Sequence, residues 1–402
     1  MLTKTDIVGS GLISLDKLIK PLLIFLIVIV LLSAKRPISI DKNIVLYILP
    51  SFIFLFILSA HYFYSNGHDP ANTMRAFKEI IRLASFLSIL IICSTVTLSF
   101  SDLRFMTYMI ALLGIPLGIS SLIDSLTRST IKTWKYVEGY LRAGTEIVDP
   151  NALAAVLNIS SLCALSCFLI VRRYKFKLLL LLAFVVGQAG RFATFSTGSF
   201  ISIILSLLIF SFFIGRYQKK LFINLFLVII VIMLIFSIIL MSTDLTKTIF
   251  YRVLLSDEIV YKATVGNRVD QYMSLIKIAI NEPYTLIFGT GTVLSTEILD
   301  TKVDFHNSYI RPLLVAGVLG FISIIWIWLI TLIRMYRAIK IPHLSDNDLI
   351  ILIAFFSGFV GWSFQAATLP SDTSVIHWFF IILGYQVGLS RINTSKYPGI
   401  NQ

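Results

Sequence analysis

With 57% of its 402 residues apolar and only 14% charged, the chain departs from a soluble domain, which carries about 45–50% apolar and about 25% charged residues. A mean hydropathy of +0.89 excludes a water-soluble globular fold. The net charge of +13 does not bring back a nucleic-acid reading, because the basic residues punctuate the ends of apolar runs instead of forming a patch with interleaved aromatics.

Crossing a bilayer core of about 30 Å takes roughly 20 apolar residues in a helix, since hydrocarbon offers backbone groups no other partner. Runs of that kind fall at approximately 12–33, 43–64, 79–98, 104–122, 150–171, 177–193, 197–214, 221–241, 309–333, 347–369 and 373–390. The expected fold is all-α, a polytopic bundle of about eleven membrane helices forming one domain over residues 1–402. Asp16, Lys17 and Lys20 interrupt the first run, so residues 5–20 read either as an interfacial stretch or as a separate, twelfth helix. Cys93, Cys163 and Cys167 lie inside apolar runs without metal-ligand neighbours and read as small hydrophobic side chains.

Lysine and arginine in the short loops set the orientation. Arg172, Arg173, Lys175 and Lys177 crowd one connection, Arg216, Lys219 and Lys220 another, and Arg334, Arg337 and Lys340 a third. When the spans alternate, these fall on one side with Lys35, Arg36, Lys42 and the tail bearing Arg391 and Lys396, and that side is expected to be cytoplasmic. The segments 65–78, 123–149, 192–196 and 242–308 then face outward, and no small-residue cleavage site follows the first apolar run.

The outer segment 242–308 is too long for a plain connection, since loops beyond about 12–15 residues are usually functional or disordered. Val269, Met273, Ile276 and Ile280 recur at helical spacing, and Asn281, Glu282 and Pro283 then stop the helix. A small helical cap over the outer mouth of the bundle is expected.

Ion-coupled transporters keep acidic residues near the bilayer midplane. Here every Asp and Glu maps to a loop or a span end, Asp16 being the debatable case, and no pair of similar halves is visible. Polar residues concentrate instead in the outer segments: His68, Asp69, Arg75, Arg142, Asp149, Asn151, Arg191, Arg268, Asp270, Asp304, His306, Asn307 and Arg311. A polar site roofed by a loop suits a substrate with a hydrophilic head and a lipid tail.

Three stretches resemble the O-antigen ligase and polymerase superfamily of bacterial inner membranes. His306-Asn307 is followed after nine residues by Gly317 and, after two more, by Gly320, with Ser323 where that family usually has Gly, Thr or Tyr. Gly266-Asn267-Arg268, then Pro283 and the turn Gly289-Thr290-Gly291, is similar to the family's loop, in which an Arg opens a helix. Asp149-Pro150-Asn151 with Arg142 before it resembles the polysaccharide polymerases of the group. The likeness covers about residues 140–335, and the family's Ser-Arg-Gly is replaced by Ser196-Thr197-Gly198-Ser199-Phe200, leaving Arg191 to supply the charge.

The resemblance implies glycan transfer from undecaprenyl diphosphate to a sugar hydroxyl, the acceptor being a growing glycan or lipid A–core. Arginine binds phosphate oxygens bidentately and stays charged, so Arg268, then Arg191, then Arg142 or Arg75 are the expected diphosphate contacts. His306 is the expected base for the acceptor hydroxyl, with Asn307, Asp149 and Asn151 near the substrate. Nothing resembles the acidic cluster of a metal-dependent transferase, so neither a metal nor another cofactor is expected. A chain-length regulator is a further implied partner. The Asp-Pro-Asn stretch favours a repeat-unit polymerase, the His-Asn and glycine pattern a ligase; a lipid-linked glycan flippase is the reading from another class.

Plainer roles stand beside these. Gly317 and Gly320 suit close helix approach, Arg268 can pair with Asp270 or Glu282, and Asp149 and Asn151 can cap the helix at Pro150. His61, His343 and His377 sit at span ends, where an interfacial place explains them, as the aromatic belt explains Trp and Tyr there.

Overall fold

The computed structural model of the chain describes residues 42–64, 70–95, 98–127, 150–194, 196–217, 267–291, 307–341, 344–367 and 375–396. The spans expected at 12–33 and 221–241 lie outside these residues. Among the described residues all regular structure is helical. After a 3-10 turn, Lys42–Ile44, come α1 (Val45–Tyr64), α2 (Pro70–Thr95), α3 (Phe100–Thr127), α4 (Pro150–Ile170), α5 (Tyr174–Ala193) and α6 (Thr197–Tyr217). The long loop contributes α7 (Asn267–Asn281) and α8 (Pro283–Phe288), followed by α9 (Arg311–Ile339), α10 (Asp346–Ala366) and α11 (Val375–Lys396).

Seven of these helices, α1, α3, α4, α5, α6, α9 and α10, are long and apolar enough to cross a membrane. The protein is a membrane helix bundle. Each expected span within the described residues falls on a helix, and the largest difference is α2, which starts at Pro70 instead of 79. Proline suits the first helical position, where its missing N–H would have no partner, and Pro150 and Pro283 open α4 and α8 in the same way.

The centre of the bundle is α10, which packs against α3, α4, α6, α9 and α11. It is apolar all round and almost wholly buried, the pattern of a helix surrounded by others. Trp362 stacks on Phe380 of α11 at 5.0 Å, and Phe359 lies 4.6 Å from Trp328 of α9. At the start of α10 the Ser345 hydroxyl accepts the Asp348 N–H, and Asp348 forms an ion pair with Arg104 of α3 at 2.8 Å. Helices α3, α4 and α5 form one group around this axis, and α1, α2, α9 and α11 another.

Small residues let α3 and α5 touch backbone to backbone. A Cβ on Gly190 would lie 2.8 Å from the Gly118 carbonyl oxygen, and Ser121 donates to the Gly190 carbonyl at 2.7 Å. The three cysteines are buried thiols in the core, as expected. Phe52, Phe56, Phe105, Leu208, Phe212 and Leu319 point out of the bundle, as a lipid-facing surface requires.

Alternation of the helices brings the C-termini of α1, α3, α5 and α10 to one end, with the N-termini of α2, α4, α6 and α9. Helices α7 and α8 sit at this end, called the loop end below. Arg172, Arg173, Lys175, Arg216, Arg337 and Lys340 lie at the other.

Candidate functional site

The start of α9 is built by Asn307. Its side-chain oxygen accepts the N–H groups of Tyr309 and Ile310 at 2.9 and 3.1 Å, and its carbonyl accepts that of Arg311 at 2.8 Å. These are the donors that a helix N-terminus leaves without intrahelical partners. The Asn307 amide nitrogen donates to the Tyr272 hydroxyl of α7 at 2.8 Å, so both ends of the side chain are committed to the fold. Ser308 donates to the Ala366 carbonyl at the end of α10, and Gln365 donates to the Asn151 carbonyl on α4 at 2.8 Å. Asn307 and Asn151 therefore both border the C-terminus of α10.

The glycines of the loop and of α9 act together. Gly317 has φ +67° and ψ −167°, so α9 is broken there, a break added to the close helix approach expected of Gly317, since a Cβ would collide with the Ile287 carbonyl oxygen of α8. A residue with a Cβ avoids this region, and glycine does not. Into the break fits the turn after α8: a Cβ on Gly289 would lie 2.6 Å from the Gly317 nitrogen. Gly320 keeps part of the expected role, since a Cβ there would lie 3.2 Å from the Phe54 ring of α1.

His61 belongs to this joint. Its Nε2 lies 2.9 Å from the Phe288 carbonyl oxygen at the end of α8, a tie between helix and loop that an interfacial reading of His61 did not foresee. Sequence spacing gives no hint of it.

A buried ion pair joins α9 to α2. Arg311 Nη2 lies 3.0 Å from Glu79 Oε1 and 3.3 Å from Oε2, with both side chains almost withdrawn from solvent. Glu79 stands in the third turn of α2 and Arg311 is the first residue of α9, so each charge is conspicuous beside an apolar run, though nothing in the sequence pairs them.

Arg191 is different. It occupies the last turn of α5 and is only 2% exposed. Its Nε donates to Gln188 Oε1 at 2.8 Å, and its guanidinium lies 3.9 Å from the Phe192 ring centroid and 5.6 Å from that of Phe200 on α6. No carboxylate pairs with it among the described residues, and Gln188 Nε2 has no hydrogen-bond partner among them. A helix C-terminus favours a cation by about 0.3–1 kcal/mol. Withdrawing an ion from water costs several kcal/mol, so the helix end alone does not account for this burial. Next to it, the α6 N-terminus carries Ser199, whose hydroxyl and carbonyl accept from Asn158 of α4 at 3.1 and 3.2 Å. An anion reaching this point would meet a dry guanidinium, two ring faces and an amide.

The other expected residues are placed unevenly. Arg268 opens α7 and Arg75 lies in the first turns of α2, both at the loop end, though only their backbones are described. His306, Arg142 and Asp149 lie outside the described residues. His306 directly precedes Asn307, and Asp149 directly precedes α4. No group of three or more His, Cys, Asp or Glu able to hold a metal ion occurs among the described residues. No protein-family model matches the chain, and no curated protein matches it.

Proposed function

We propose that the protein is a membrane glycosyltransferase that moves glycan from undecaprenyl diphosphate to a sugar hydroxyl, acting as a repeat-unit polymerase of a bacterial inner membrane. The observation that carries this reading is Arg191, a buried guanidinium with only neutral and aromatic neighbours among the described residues. Such a cation is suited to an anion that arrives with the substrate. The leaving diphosphate of a polyprenyl carrier is one, held beside lipid and charged throughout.

The reaction breaks the bond between the anomeric carbon and the diphosphate oxygen and forms a bond from that carbon to the acceptor oxygen. The electron pair departs with undecaprenyl diphosphate, towards Arg191 and, from the loop, Arg268. The acceptor proton passes to His306, the residue before the Asn307 cap in the sequence. Asn307 is then a positioning residue. Arg142, Arg75, Asp149 and Asn151 remain candidates for the rim of the site. The basic residues opposite the loop end support a cytoplasmic assignment for that end, which puts the site outside and the C-terminus inside.

The His306-Asn307 spacing to Gly317 and Gly320 supports a second reading, a ligase that delivers finished glycan to lipid A–core. A deletion strain separates the readings. Single repeat units on the surface lipid mark a lost polymerase. Bare core with accumulated lipid-linked polymer marks a lost ligase, and substrate trapped on the inner leaflet would replace both with a flippase. In the same strain, complementation with His306→Ala or Arg191→Ala is expected to fail while the protein still inserts. Full complementation by either variant removes that residue from the chemistry, and Arg268→Lys tests whether a point charge replaces the bidentate fork.

A further inference from the structure

Helix α7 is apolar on two sides, and the bundle covers one of them. Gln271 and Ile278 are buried and Leu275 is half-buried, with Leu275 and Ile278 packing against Leu314 of α9. At about 100° per residue, Met273, Ile276 and Ile280 fall on the opposite side, where they are 51%, 50% and 73% exposed. The apolar spacing that marks this helix in the sequence is therefore not the face by which it docks. Between the two sides runs a polar edge of Ser274, Lys277 and Asn281. In α8, Tyr284, Ile287 and Phe288 form a second outward face, also more than half exposed. A joint apolar surface of this kind is not left to water; it marks a contact with something apolar.

Its position identifies the contact. The His61 bond to the Phe288 carbonyl, and the packing of Gly291 against His61, hold the end of α8 on the last turn of α1. The outward stripe of α1 runs through Phe52, Phe56 and Phe63, all more than half exposed on a membrane-crossing helix. At about 100° per residue His61 lies on the other side of α1 from that stripe, so Ile287 and Phe288 share its level at the membrane end of α1 but not its face.

We infer that α7 and α8 form an interfacial hairpin whose outward apolar face lies among the lipids at the membrane surface, with Ser274, Lys277 and Asn281 turned to the water. Lys277 can place its stem along the apolar surface and its ammonium among lipid phosphates. The loop is then no roof standing in water but an extension of the lipid-facing surface. The inference does not depend on the transfer chemistry.

Single cysteines at Ile276, Ile280 and Phe288 carry a nitroxide label in the full-length protein, reconstituted in vesicles of phosphatidylethanolamine and phosphatidylglycerol. Phe56 serves as the lipid control and Asn281 as the water control. The native thiols are buried, and unlabelled parent protein checks that they stay unreacted. All three test positions are exposed, so the labels displace no packing. Collisions with oxygen are expected to exceed those with a water-soluble nickel chelate at the three positions, as at Phe56, and the order is expected to reverse at Asn281. A nickel-dominated response at Ile276, Ile280 and Phe288 would overturn the inference in favour of water. Exclusion of both reagents would overturn it in favour of cover by protein.

Discussion

Thr290 donates both its backbone N–H and its hydroxyl to the carbonyl oxygen of Leu314, at 2.8 and 3.0 Å. In an unbroken α9 that carbonyl would accept from the residue four positions on, and the non-helical backbone at Gly317 interrupts this ladder. Broken helices survive at membrane depth where protein supplies the missing partners. Here the loop supplies them, so the Gly289-Thr290-Gly291 turn is structurally part of α9.

Gly317→Ala is expected to loosen this joint. A Cβ at positive φ costs about 1–3 kcal/mol, and here it would also meet the backbone of Ile287 and Phe288. Gly289→Ala meets the same two penalties, whereas Thr290→Val loses only a hydroxyl, worth about 0.5–1.5 kcal/mol. Thermal melting in detergent should rank the three in that order, and proteolysis within 282–291 should speed up for both glycine variants. A Gly317→Ala protein that melts like the parent would mean that the break is not required.

Truncating Arg311 leaves Glu79 buried without its charge partner. Breaking such a pair costs about 3–5 kcal/mol, while replacing both members by apolar groups is often close to neutral. Arg311→Ala should therefore be much less stable than the double variant Glu79→Leu with Arg311→Leu, measured by denaturant unfolding in bicelles. If the double variant is as unstable as the single one, the two charges are not coupled.

Asn307 combines two roles that substitutions can separate. Asn307→Asp keeps the oxygens that accept from Tyr309 and Ile310 and gives up the donor to Tyr272; Tyr272→Phe removes the same bond from the other side. Both variants should keep the stability that Asn307→Ala loses, about 0.5–2 kcal/mol for a helix cap. Equal melting of all three would dismiss the capping role.

The spans were legible because about 20 apolar residues in a row are a local property, readable without knowing any neighbour. What joins them was not. Glu79 and Arg311 are 232 positions apart, and His61 and Phe288 are 227 apart. No periodicity encodes such partners. Gly317 was legible as a site of close helix approach, which it is for α8, but its break of α9 was not, since a glycine in an apolar run looks the same whether or not it breaks its own helix. In α7 the residue spacing gave the helix correctly but not its orientation, because both of its sides are apolar. Arg191 was legible because a charge at the end of an apolar run is conspicuous by itself.

Arg191 tests whether this charge is kept for stability or for a ligand. Its neighbours among the described residues are Gln188, Phe192 and Phe200, none of which is charged. A buried charge without a counter-charge is a burden on the fold, since it has lost hydration that neutral contacts restore only in part. Arg191→Met keeps most of the stem and removes the charge, so its melting midpoint is expected to equal or exceed that of the parent, while glycan transfer is lost. Loss of activity together with gain of stability is the signature of a site residue. Adding undecaprenyl diphosphate should then stabilise the parent, by about 2.7 kcal/mol at a hundred times its dissociation constant, and should leave Arg191→Met unmoved. A variant that melts well below the parent, with no response of the parent to diphosphate, would make Arg191 a scaffold residue.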